Sequence, residues 1–137
     1  VVIVPTLHPW AKKKEISIYD VMKEPFILRE EGSGTRQIIE KYLNKHGIST
    51  HDMKTSMMLG STEAIKEAVE SGIGISIVSR WAARKENKYG SLKLLSLKEE
   101  KFFREFSLIF HKNAIASHAV DEFLTYLKSY PFEKLIA

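Results

Sequence analysis

A chain of 137 residues that is 44% hydrophobic has one domain's length and enough apolar content for a packed core, which excludes a disordered polypeptide. Its net charge of +4 is interleaved with acids, and Lys12-Lys13-Lys14 is the densest basic run, so no stripe for reading nucleic acid is visible. The absence of cysteine removes disulfides and thiolate metal sites and fits a cytoplasmic protein, while the opening VVIVPTL is too short to span a membrane and lacks the flanks of a signal peptide.

Val1 to Val4 reads as a strand, and a chain that starts inside a strand without an initiator Met reads as a fragment. Ser17 can cap a short helix over Ile18 to Met22, which the Glu24-Pro25 step ends because proline disfavours helix in the residue before it. Phe26-Ile27-Leu28 is then a short apolar strand that runs into the loop REEGSGT, and a helix follows with apolar positions at Ile38, Ile39, Tyr42 and Leu43 until Gly47 stops it. Met53 to Leu59 is extended. In GSTEAIKEAVESG, Ser61 caps a helix whose apolar face is Ala64, Ile65, Ala68 and Val69, closed by Gly72. GISIVS reads as a buried strand, Trp81 to Lys85 as a short helix, Ser91 to Leu97 and Phe102 to His111 as strands. Ser117 opens a last amphipathic helix with its stripe at Val120, Phe123, Leu124 and Leu127.

This alternation predicts an α/β domain, layered around a largely parallel sheet with helices on both faces. Ligands of such sheets bind outside the carboxyl ends of the strands. Two loops leave strand ends and enter helices here, Glu30 to Thr35 and Gly60 to Ser61. In the first, Gly32 and Gly34 permit close backbone approach, Ser33 and Thr35 add hydroxyls, the following helix adds its free amides and positive dipole end, and Arg36 adds a cation. That combination is an anion cradle. The same residues also fit a glycine-rich turn whose Ser or Thr caps the helix, with Glu30 and Glu31 occupying Arg36.

Other chemistries lack their signatures. GSGTRQ has no third glycine for G-x-G-x-x-G, no phosphate-loop pattern occurs, and Ser33 sits in G-S-G rather than G-x-S-x-G. The histidines at positions 8, 46, 51, 111 and 118 have no compact ligand spacing, and the pairs Glu30-Glu31 and Glu99-Glu100 read as solvated turns. Neither a metal, a cofactor nor an enzymatic acid–base pair is indicated.

The runs VVIVPTLHPWA, ISIYDVMKEPFILREEGSGTR, GSTEAIKEAVESGIGISIVSRWAARKE and FFREFSLIFHKN, taken with the closing helix, are similar to the effector-binding region of LysR-type transcriptional regulators over nearly the whole chain. The resemblance implies a fold like that of type II periplasmic binding proteins, in which two α/β subdomains joined by crossover strands hold a small effector between them. In those terms, residues 16–101 are the second subdomain, 1–9 and 102–111 the crossover segments, and 112–137 carry the terminal helix of the first subdomain. The winged helix-turn-helix and the opening of the first subdomain lie outside the chain.

The resemblance further implies a small anionic effector, a carboxylate or an oxyanion, held by Ser33, Gly34 and Thr35 and by Ser71, Gly72 and the amide of Ile73. Arg36 is added on physical grounds. It also implies a homodimer or homotetramer in the full-length protein and promoter DNA as partner only through the missing amino-terminal domain. The alternative from another class is a solute-binding protein of the same fold serving a transporter.

Overall fold

The computed structural model describes residues 1–99, 101, 103–104, 107–109 and 117–131, in two units, Val1–Arg104 and Glu105–Ala137. The first unit holds strands β1 (Val2–Pro5), β2 (Glu15–Ile16), β3 (Phe26–Arg29), β4 (Thr55–Leu59), β5 (Ser76–Ile77) and β6 (Leu92–Leu97), with helices α1 (Ile18–Val21), α2 (Gly34–Lys45), α3 (Thr62–Glu70) and α4 (Arg84–Tyr89). The second contains α5 (His118–Ser129).

Four strands pair in the order β2-β6-β1-β5, and β3 pairs with β4. A parallel bridge from Phe26 to Ile75 links the two sets, held by Ile27 N–H to Ile75 O at 2.9 Å and Ile75 N–H to Pro25 O at 2.8 Å. The β2/β6 and β3/β4 pairs are parallel, as expected of an α/β sheet. β1 is the exception, since it runs antiparallel to both β5 and β6.

Period-two alternation along the strands divides the core into two layers. Val2, Val4, Phe26, Leu28, Ile75, Ile77, Leu95 and Leu97 pack with Ile18 and Val21 of α1 and Ile39, Tyr42 and Leu43 of α2. Ile3, Ile27, Val78 and Leu92 point the other way and pack with Ile65, Ala68 and Val69 of α3. Helices therefore cover both faces. Among the described residues no helix is long and apolar enough to cross a membrane.

Three local features differ from the sequence expectation. The ladder of β5 covers only Ser76–Ile77 within GISIVS. The short helix expected over Trp81 to Lys85 begins later, at Arg84, because the amides of Ala82 and Ala83 both turn back to Ser79 O at 3.0 and 3.3 Å; it ends at Gly90, whose φ of 79° supplies the left-handed stop. The strand expected over residues 102–111 lies largely outside the described residues. In the second unit, α5 starts after Ser117 as expected, and its stripe residues Val120 and Phe123 are about half exposed, at 46% and 55%.

Glu99 was expected to be a solvated turn residue and is instead the anchor of α1. Its carboxylate accepts from the Ser17 hydroxyl and, at 3.1 Å, from the Ile18 amide, so the acid stands at the positive end of that helix. Partial burial pushes its pKa up, but the bonds from Ser17 and from backbone amides outweigh this, and the carboxyl titrates below its ordinary value. A depressed carboxyl contributes stability above its unfolded pKa of about 4.3 and loses it as pH falls through the folded value. Glu99→Gln is accordingly expected to lower stability by about 1 kcal/mol at pH 7 and to flatten the acid limb of a melting-temperature profile below pH ~4.5; a parallel acid limb in wild type and variant would refute the assignment. Glu100 lies outside the described residues.

Candidate functional site

The carboxyl ends of β3 and β4 face the same way, with Arg29 beside Leu59 in register, so the loops that follow them lie side by side. Arg29 ties them together. Its Nη1 donates to Thr62 Oγ1 at 2.9 Å and its Nη2 to Gly60 O at 3.4 Å, while Nε and Nη2 hold the Glu30 carboxylate at 2.7 and 2.8 Å. The hydrogen bonds from Arg29 hold the Glu30 carboxyl below the usual carboxylate range. A cation placed at the end of the apolar run FIL was the available sequence signal for this clamp.

Gly32, at φ 84°, lets the chain turn from β3 into α2, and Ser33 N–H closes the turn on Glu30 O at 3.3 Å. Ser33 has the extended backbone of an N-cap, φ −62° and ψ 127°, yet its side chain makes no cap hydrogen bond. It is only 8% exposed. The other serine N-caps of this unit behave differently: Ser17, Ser49 and Ser61 accept from Tyr19, His51 and Ala64 respectively. The first bond of α2 is Gln37 N–H to Ser33 O, so the amides of Gly34, Thr35 and Arg36 have no acceptor among the described residues. A largely buried serine that does not cap stands beside three open amides at a positive helix end, an arrangement able to solvate a small anion.

Gly34 adds a geometric condition. A Cβ at this position would lie 3.1 Å from Nη2 of Arg104, which places that guanidinium over the first turn of α2. Nothing in FFREF marked Arg104 for this position in advance.

Two expected contributions fall away. Arg36 is turned back along its own helix: Nε binds Glu40 at 2.7 Å, Nη2 lies 3.7 Å from Glu31, and Nη1 reaches Arg29 O at 3.4 Å and Met58 Sδ at 3.1 Å. Its side chain is 13% exposed and its charge is already matched, so it is not the free anion ligand the sequence suggested. Ser71, Gly72 and Ile73 are not brought to Ser33 at all. They follow α3 and precede β5, and because β5 starts beside the start of β3, they lie at the amino edge of the sheet while the Ser33 loop lies at the carboxyl edge. Their groups are also committed to closing α3: Ser71 Oγ donates to Glu67 O at 2.9 Å, and the amides of Gly72 and Ile73 donate to Val69 O and Ala68 O at 2.9 and 3.1 Å.

Elsewhere, a depression of about 510 Å³ on the α3/α4 face is lined by Lys66, Trp81, Arg84 and Glu86 among others. Its charges face one another, with Lys66 Nζ 2.7 Å from Glu63 and 2.6 Å from Glu86 and Arg84 stacked on Trp81 at 4.8 Å. No expected site residue lines it. Among the described residues no three His, Asp or Glu side chains converge as a metal site would require.

Comparison with known proteins gives the geometry its context. The family model described as "LysR substrate binding domain" matches residues 1–131. An uncharacterized HTH-type transcriptional regulator of Methanocaldococcus jannaschii is 39% identical over 128 residues, which are 91% of this chain and 43% of that protein; the chain thus spans less than half the length of the curated relatives it matches. Among solved structures, the regulatory domain of CcmR from Synechocystis PCC6803 in complex with 2-PG is 34% identical with a TM-score of 0.77, covering 93% of this chain and 60% of that one. The effector-binding domain of QuiR in complex with shikimate is 25% identical with a TM-score of 0.66, covering 92% and 57%.

Proposed function

The chain belongs to the LysR substrate-binding domain family, and from that premise we propose that it is the ligand-sensing part of a transcriptional regulator whose effector is a small anion held at Ser33, Gly34 and Thr35. The observation that carries this reading is the Ser33 side chain, which stands at the N-cap of α2 without capping it. An anion seated on the open amides of α2 would give the Ser33 hydroxyl an acceptor. Two similar domains, those of CcmR and QuiR, are solved with 2-PG and shikimate, both of which carry acidic groups. The relatives are regulators and not enzymes, which accords with a site of donors that lacks an acid–base pair.

In this reading residues 16–101 form the second of two subdomains, and residues 1–9 and 102–111 the crossovers to a first subdomain that ends in α5. Promoter DNA is engaged by a helix-turn-helix segment of the full-length protein, as a homodimer or homotetramer. The effector acts by binding one subunit arrangement more tightly than another, since a ligand with equal affinity for both shifts neither.

Ser33→Ala and Thr35→Ala in the full-length protein are expected to weaken effector binding about tenfold or more, because a lost hydrogen bond to a charged group costs roughly 1.5–3 kcal/mol. Ser33→Ala should leave the melting point of the unliganded protein nearly unchanged, since the hydroxyl caps nothing. Calorimetric titration of organic acids and oxyanions beside thermal melts separates the outcomes: a lowered melting point with unchanged affinity would make the loop a structural turn.

A further inference from the structure

We propose that His8 is a proton-sensitive latch on the turn after β1: the neutral ring holds the Trp10 amide, and a proton on Nδ1 releases that amide and draws the ring toward Glu24. Nδ1 of His8 accepts from the Trp10 amide at 3.2 Å, and Nε2 lies 3.9 Å from the Glu24 carboxylate. The ring stands edge-on to the Trp10 indole, with 4.8 Å between centroids and 73° between planes.

The chain around these contacts is a run of turns. His8 N–H donates to Pro5 O at 3.0 Å, Ala11 N–H to His8 O at 2.9 Å and Lys13 N–H to Trp10 O at 2.8 Å. Within that run the His8 side chain accepts from the amide two residues on, the pattern that Asn and Asp make in Asx turns. Trp10 is largely buried and anchors the turn in the core layer shared with α1 and α2.

A nitrogen that accepts carries no hydrogen, so the neutral ring bears its proton on Nε2. A second proton must go to Nδ1, where the new N–H opposes the N–H of Trp10. The same charge gives the Glu24 carboxylate a cation to pair with, so the ring has two seats, one for each protonation state. The charged groups around it divide: Glu24, on the turn after α1, favours the imidazolium, and Lys13, on the same run of turns as His8, disfavours it. Asp20 and Lys23, on the α1 side, pair with each other at 3.2 Å. The His8 side chain is only 13% exposed, and burial, the largest influence, sets its pKa below the ordinary value. A histidine lowered in the fold contributes stability that is present above its unfolded pKa of about 6.5 and is lost as pH falls through the folded value. The latch is therefore closed at neutral pH and opens in mild acid. It needs nothing from the Ser33 loop. If residues 1–9 are the crossover described above, acid loosens the end at which it enters the second subdomain; that consequence, unlike the latch, rests on the reading just given.

The test is hydrogen exchange by mass spectrometry on the full-length protein without effector, so its outcome is separate from that of the Ser33 site. Peptides covering residues 7–14 are followed, with rates divided by the intrinsic exchange rate at each pH. Protection in wild type should fall about fivefold, the worth of one hydrogen bond, between pH ~7.5 and pH ~5. His8→Asn supplies an acceptor that does not titrate in this range; it should keep most of the protection and lose the pH dependence. His8→Ala should lack the protection at both pH values. Glu24→Gln removes the attraction for the imidazolium and should move the midpoint to lower pH. If His8→Ala does not fold, His8→Asn and Glu24→Gln carry the test. Protection that stays constant in wild type, or that falls equally in His8→Asn, overturns the latch, as does His8→Ala protected like wild type at neutral pH. An unmoved midpoint in Glu24→Gln overturns the second seat.

Discussion

Gly74→Ala is expected to destabilise the protein by about 3 kcal/mol, the upper end of the usual cost of overpacking. A Cβ at Gly74 would sit 2.5 Å from the carbonyl oxygen of Pro25 and 3.0 Å from its carbon, and real Cβ atoms do not approach backbone so closely. That same carbonyl accepts the Ile75 amide at 2.8 Å, so relief would pull apart the bridge that joins β3 to β5. The requirement is one of space and not of torsion. Gly72 is the informative contrast: its φ is 78° and nothing lies within 4 Å of a built Cβ, so Gly72→Ala pays only the left-handed penalty of about 1–2 kcal/mol. Urea denaturation followed by circular dichroism should place Gly74→Ala below Gly72→Ala; the reverse order would mean that the two chain segments separate more easily than their packing implies.

Phe26→Ala should cost about 3–5 kcal/mol, the range for deleting a buried aromatic ring from a core. Phe26 is fully buried and stands where three elements meet: its amide donates to Lys54 O at 2.8 Å, it pairs in register with Thr55 of β4, and it bridges to Ile75. The ring packs in the layer shared with α1 and α2. Phe26→Leu, which retains most of the apolar volume, should recover more than half of the loss. A calorimetric melt of the three proteins checks the order, and equal effects of Ala and Leu would show that the ring makes no dense contacts.

The layer structure was legible because it rests on short-range periodicity. Val2 and Val4 against Ile3, and Phe26 and Leu28 against Ile27, already announce two buried faces, and Ser17, Ser61, Gly47 and Gly72 mark helix ends through chemistry confined to a few residues. The Ser33 loop was legible as an anion cradle or a cap, and only its geometry shows that the serine does not cap. The rest depended on strand direction and on partners distant in sequence. Ser71 and Gly72 entered through the family resemblance alone, and the parallel register of β3 and β5 puts them at the opposite edge from Ser33. Arg36 looks like a ligand until Glu40, one helical turn away, claims it. Glu99 and Arg104 carried no local signal, because each meets a helix end far from it in sequence, Glu99 at Ile18 and Arg104 beside Gly34.

The antiparallel placement of β1 has a consequence for biosynthesis. Residues 2 to 5 find their partners at residues 92 to 95 and 76 to 77, so a ribosome makes this strand well before the segments it must lie between. Until β5 and β6 have emerged, Val2, Ile3 and Val4, which end fully buried, form a β-branched apolar segment that lacks these partners, the kind of sequence that joins other chains. Closing so long a loop is slow compared with making local helices. Rapid completion of the following 90 or so residues shortens the time that β1 spends without these partners.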